Sequence, residues 1–163
     1  MQVSSAYSAP RACDEWNAVY VSQPDEDGVR VYAEFGKAEG SNPMPFTFTG
    51  VGKSGAKLWR HRTKAWCFLG SGGCFVGLMT QGLVGRQNPE FEQQLRITFV
   101  RSSKTDTKAT PDILVLSGLK AAFLDAARAG GEYSVALESF SDAPAPEDIL
   151  PPEAYYFEKK KKN

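Results

Sequence analysis

The chain has one histidine, His61, and three cysteines, Cys13, Cys67 and Cys74. A single histidine leaves a Ser-His-Asp or Cys-His mechanism no choice of base. His61 stands between Arg60 and Arg62, and those charges disfavour its protonated form and make it a poor proton carrier. Three cysteines without a C-x2-C spacing fall short of a zinc site, so neither metal nor cofactor is expected. Cys67 and Cys74 flank a turn, where two buried thiols would act as small hydrophobes; in a tight turn they face each other and oxidation would join them. The odd count agrees with a reducing compartment. No run of about eighteen apolar residues exists. The nearest, 65–85, is rich in glycine and broken by Ser71, Thr80 and Gln81, as suits buried strands joined by a turn. The opening residues lack a charged segment followed by an apolar one, so no signal peptide is expected. These absences point to a soluble intracellular protein, of a cell or of a virus or phage, without membrane contact.

Net charge is also missing, with 19 Lys and Arg against 19 Asp and Glu. Setting aside the terminal lysines Lys159–Lys162 leaves the rest mildly acidic. Overall charge therefore gives no case for nucleic acid, and any anion site must be a local patch. Gly50–Ser54 (GVGKS) stops short of a phosphate-binding loop. Thr47 stands where the first glycine belongs, and no helical apolar stripe follows. Asp25, Glu26 and Asp27 are the densest carboxylates of the first half, but they fall in a turn, where solvation keeps them ordinary. No enzyme is expected.

What is present is a succession of short β-branched and aromatic runs. Trp16–Ser22 reads as a strand, Gln23–Gly28 as an acidic turn, and Val29–Phe35 alternates apolar and polar residues as a half-buried strand does. Met44–Val51 alternates again. After a turn at 52–56, Lys57–Phe68 forms the next strand, Gly70–Gly73 reverses the chain into Cys74–Thr80, and 82–89 is a loop. Phe91–Arg101 places Leu95, Ile97 and Phe99 on one face, and after a polar loop Asp112–Leu116 is a short apolar strand. Ser117–Ala129 carries Leu119, Ala122, Phe123 and Ala126 at helical spacing, with Ser117 as a cap and Gly130 as a stop. Tyr133–Phe140 reads as a final strand. The fold class expected is β-rich, all-β or α+β. It is either one curved antiparallel sheet or a small OB-like barrel, with one late helix at about 117–130. Residues 1–13 read as a flexible arm, 14–141 as a single domain, and 142–163 as an extended proline-rich, acidic tail ending in lysines.

The candidate interface is the strand KLWRHRTKAWCF. Alternation puts Arg60, Arg62, Lys64 and Trp66 on one face, with Lys57, Trp59 and His61 on the other. Cations in a row match successive phosphates, and Trp59 or Trp66 would stack on bases. Arg96 and Arg101 extend the patch if their strand lies near. The plain alternative is a solvated strand face with both tryptophans buried. In the tail, Ile149, Leu150, Tyr155, Tyr156 and Phe157 are too apolar for a solvated segment and would dock on a protein partner or on a second copy. That tail resembles the acidic, aromatic-ended tails by which single-stranded DNA-binding proteins recruit replication enzymes, although KKKKN follows its aromatics. The function expected is non-enzymatic binding of single-stranded DNA or RNA. The alternative is a structural or assembly protein, an oligomer or virion component, working through its surface strands and C-terminal arm.

Overall fold

Period-two alternation becomes the inside and outside of a closed barrel. The structure, a computed structural model, describes residues 17–36, 43–67, 73–87, 89–91, 93–100 and 111–160. Among these residues the strands are β1 (Ala18–Val21), β2 (Arg30–Phe35), β3 (Met44–Val51), β4 (Lys57–Cys67), β5 (Cys74–Gly77), β6 (Gln94–Val100), β7 (Ile113–Leu116), β8 (Glu138–Ser139) and β9 (Ala154–Lys160), with one α-helix, α1 (Leu119–Ala129). β1 to β7 pair in chain order, β9 returns between β7 and β1, and every pairing is antiparallel. Eight strands thus close a ring, and β8 joins β4 from outside it. This is the small barrel with one late helix expected from the sequence, wound with eight strands rather than the five of an OB barrel.

Register follows hydrophobicity. Phe35 faces Phe46 and Ala33 faces Phe48, all four fully buried, while Glu34 and Thr47 pair on the outer side. The acidic turn is shaped by Asp25, whose carboxylate accepts hydrogen bonds from the Asp27 and Val29 amides, both at 2.8 Å, as short carboxylate side chains do in turns. The interior is filled with rings. Phe35 and Phe46 meet edge-to-face at 4.7 Å, and Phe46 and Phe48 at 5.0 Å. The helix closes the packing: Leu119, Ala122 and Phe123 are buried, and Phe123 touches Phe48, Trp59 and His61.

Three expectations are corrected. Ser117 does not cap α1; Gly118 takes the cap position with φ +87°, a left-handed conformation that glycine adopts at little cost. The Glu153 carboxylate then serves as the acceptor, for Gly118 N–H at 2.8 Å and Lys120 N–H at 3.4 Å. Residues 133–140 do not form a continuous strand, because the segment changes partners midway. Ser134 and Ala136 bond to the 79–81 segment, whereas Glu138–Ser139 pair with β4 and the Phe140 N–H donates to the Leu58 carbonyl at 2.9 Å. The C-terminal segment is not an arm outside the domain. Ile149 and Pro151 are buried, and beyond the last proline, Pro152, the chain regains its amide donors and enters the ring as β9. Without it β1 and β7 would each present an unpaired edge.

Candidate nucleic-acid interface

β4 runs for 11 residues. One edge pairs with β3; the other pairs with β8 at Trp59–Arg60 and with β5 at Lys64–Cys67. Trp59, His61, Thr63 and Ala65 point inward and are buried, which leaves Arg60, Arg62, Lys64 and Trp66 outside. The split matches the alternation in the sequence except at Lys57, which is exposed rather than inward with Trp59. A bulge between Gly50 and Val51 sets Val51 opposite Lys57 and breaks the parity there.

Trp59 is therefore not a stacking platform. Its indole fills the space over Gly50 and touches Phe123 in the core. Arg60 and Arg62 remain on the outer face but share a carboxylate from β8. Arg62 Nε is 2.8 Å and Arg60 Nη1 3.9 Å from Glu138, and the Arg60 guanidinium lies 5.5 Å from the Phe140 ring centroid.

The other half of β4 is arranged differently. Trp66 lies opposite Phe75 of β5, and Phe75 opposite Arg96 of β6, so the three share one outer row. The Arg96 guanidinium sits 5.8 Å from the Phe75 ring centroid. Lys64 leads the next row, across Gly77 to Gln94. Gly77 has no side chain, and the Phe91 ring occupies that space, where any Cβ would collide with it. From there Phe91 stacks on Trp66 at 5.5 Å and 27°. None of β4, β5 and β6 contains an acidic residue. The barrel thus brings Lys64, Trp66 and Arg96 together, adds Phe75 and Phe91, and sets Arg60 and Arg62 at one end. Sequence reasoning missed Phe75 and Phe91. Pairing the strands on either side of the expected reversal at Gly70–Gly73 would have put Phe75 beside Trp66; Phe91 had no local signal, since Gly77 alone makes room for it. Arg101 lies outside the described residues.

His61 takes no part in this face. It is fully buried, with Nδ1 2.8 Å from the Ala136 carbonyl, and Nε2 accepts the Met79 N–H at 3.4 Å. Nδ1 is thereby the protonated nitrogen. Burial pulls its pKa down to about 4, outweighing the upward effect of the Ala136 bond. Burial, more than the neighbouring arginines, keeps it neutral. Cys67 and Cys74 are directly opposed and joined by a disulfide, so the odd cysteine count carries no case for a reducing compartment.

Of the residues expected to meet a protein partner, Ile149 and Tyr155 are core residues, since β9 turns Tyr155 inward between β1 and β7. Leu150, Tyr156 and Phe157 keep exposed surface, 37% for Tyr156 and 39% for Phe157, and the Phe157 ring also packs edge-on against Tyr20 at 5.8 Å. Among the described residues no helix is long and apolar enough to cross a membrane. Compared with protein-family models, curated proteins and solved structures, the chain matches none.

Proposed function

We propose that this barrel is a non-enzymatic module that binds single-stranded nucleic acid on the outer face of β4, β5 and β6. The observation that carries the reading is the composition of that face: cations and aromatic rings side by side on three strands that carry no carboxylate of their own. Lys64 and Arg96 hold phosphates, with Arg62 beyond them, while the Trp66–Phe91 stack and Phe75 offer ring surface to bases. Stacking of this kind contributes on the order of 1–3 kcal/mol per base and tolerates any sequence. A single strand fits better than a duplex, because a duplex hides its base faces.

The test is oligonucleotide titration at several salt concentrations with the double variant Lys64→Ala/Arg96→Ala. Affinity should fall, and the slope of log K against log salt should flatten by about 0.7 for each cation removed. Both side chains lie on the outer face, so the fold should persist. Unchanged affinity and slope would remove the assignment.

A second reading has an observation of its own. Val100 lies opposite Ile113, and Ile113 opposite Tyr156. Val100 is 43% exposed and Tyr156 37%, so the outside of β6, β7 and β9 carries an apolar row suited to protein contact. In that reading the chain is an assembly component. Its mass in solution should drop on Val100→Lys/Tyr156→Lys, with nucleic-acid affinity unchanged.

A further inference from the structure

A cleft of about 350 Å³ opens between the second half of α1 and the 78–86 segment. Leu78, Leu83, Ala126 and Ala129 give it apolar lining, and Asp125, Glu132 and Tyr133 line it as well. Tyr133 is 52% exposed, an unusual outlay of ring surface beside an apolar hollow. Glu132 reaches the cleft over Gly82, where an added Cβ would stand only 3.2 Å from the Glu132 Cβ and 3.2 Å from its carbonyl oxygen. The glycine therefore lets the two turns close together. Glu138 pairs with Arg60 and Arg62, whereas neither Asp125 nor Glu132 has an ion-pair partner among the described residues. The end of α1 at Ala129 adds the negative pole of the helix. One guanidinium, Arg86, lines the cleft as well.

We propose that this cleft binds an organic cation on an apolar stem, an alkylammonium or alkylguanidinium group. The stem lies on Leu83 and Ala126. The charge sits between the Asp125 and Glu132 carboxylates, with the Tyr133 ring as a cation–π surface. An anion would meet two carboxylates and the helix end with one guanidinium in compensation. A neutral ligand would cover the carboxylates without replacing their water. The volume is at the lower end for ligand pockets, which limits the occupant to a free small amine or one lysine or arginine side chain. The cleft shares no residue with the face proposed for nucleic acid, so the two readings stand or fall separately.

The experiment is an amide NMR titration of the full chain with three probes of equal stem: pentylamine, pentanol and pentanoate. Pentylamine should shift the Gly82, Ala126 and Tyr133 amides saturably, with pentanol weaker by roughly tenfold and pentanoate without effect. Asp125→Asn/Glu132→Gln should lower amine affinity by a similar factor, and Arg86→Ala should raise it by removing a like charge. All three side chains are exposed, so each variant should keep the parent spectrum elsewhere. Equal binding of pentanol, tighter binding of pentanoate, or a double variant that binds amine as the parent does would overturn the proposal. So would weaker amine binding by Arg86→Ala. Nα-acetyl-lysine methylamide binding tighter than pentylamine would assign the source as a lysine side chain of another protein; weaker binding would assign a free amine.

Discussion

The Trp59 indole occupies the space above Gly50 in which any other residue would carry its Cβ. The two are register partners on β3 and β4, and the missing side chain on one strand is filled by the largest side chain on the next. Gly50→Ala should therefore cost about 1–3 kcal/mol, the usual penalty of forcing an extra carbon into a packed interior. Urea denaturation should show a lower midpoint with an unchanged slope. A midpoint equal to the parent's would mean that Trp59 moves aside freely and is not fixed in the core.

Glu138 stands where a phosphate would stand between Arg60 and Arg62. In the nucleic-acid reading proposed above it would compete for both cations, half exposed and on a strand of two residues. If a nucleic-acid strand extends past Lys64 toward Arg62, Glu138→Gln should tighten oligonucleotide binding by roughly threefold at low salt, the worth of an exposed ion pair. The gain should vanish at high salt as screening takes over. Equal affinity of parent and variant would confine the bound strand to Lys64, Trp66 and Arg96.

Strand parity was legible in the sequence, and the use made of each face was only partly so. In β4 the charges at 60, 62 and 64 fixed which residues share a side, and the opposite set, with Trp59 and His61, had to be the core. Taking Trp59 as a stacking residue conflicted with that parity. His61 and Thr63 hid the conflict, because two polar residues make an inward face look solvated. Each is satisfied by backbone far along the chain: His61 by Ala136, and Thr63, which donates to the Gly77 carbonyl. Neither partner is written in local pattern. β9 was obscured for another reason. Four prolines between 144 and 152 announce an extended tail, and the lysines after Phe157 look like a solvated end. The strand begins only after the last proline, and what makes it a strand is the pair of open edges on β1 and β7, a non-local demand.

His61 makes stability depend on acidity. Its folded pKa, about 4, lies below the ordinary 6.5, so between those values the unfolded chain binds a proton that the folded chain does not. Stability is therefore full above about pH 6.5 and declines as pH falls toward 4, by about 3 kcal/mol at about 1.4 kcal/mol per pH unit. Imidazole resonances should stay at their neutral positions from pH 8 down to about 5, while urea midpoints already drop between pH 6.5 and 5. An imidazole midpoint near 6.5 would show that the ring is hydrated and not held between Ala136 and Met79.

Tyr155 carries the buried side-chain oxygen that has no hydrogen-bond partner among the described residues. Its ring is needed, because β9 places it against Phe48 at 6.1 Å, but its hydroxyl has lost water without gaining a partner among the described residues. A stranded buried hydroxyl costs on the order of 1–3 kcal/mol. Tyr155→Phe keeps the ring and should stabilise the fold by about 1 kcal/mol at neutral pH, whereas Tyr155→Ala would open a cavity in the barrel and cost about 3–5 kcal/mol. A second signature separates this from a general packing effect. Burial, with the nearby Glu153 carboxylate, raises the Tyr155 pKa well above 10.0. Above about pH 10 the unfolded chain loses a proton that the folded chain keeps, so stability falls as pH rises through that range. The parent should show this loss and Tyr155→Phe should lack it, so the gap between the two widens with alkalinity. Denaturation of both proteins at pH 7 and pH 10.5 reads the effect directly. A Phe variant less stable than the parent at pH 7 would mean that the hydroxyl has a partner, a trapped water, and that β9 is seated by a polar contact as well as by its ring.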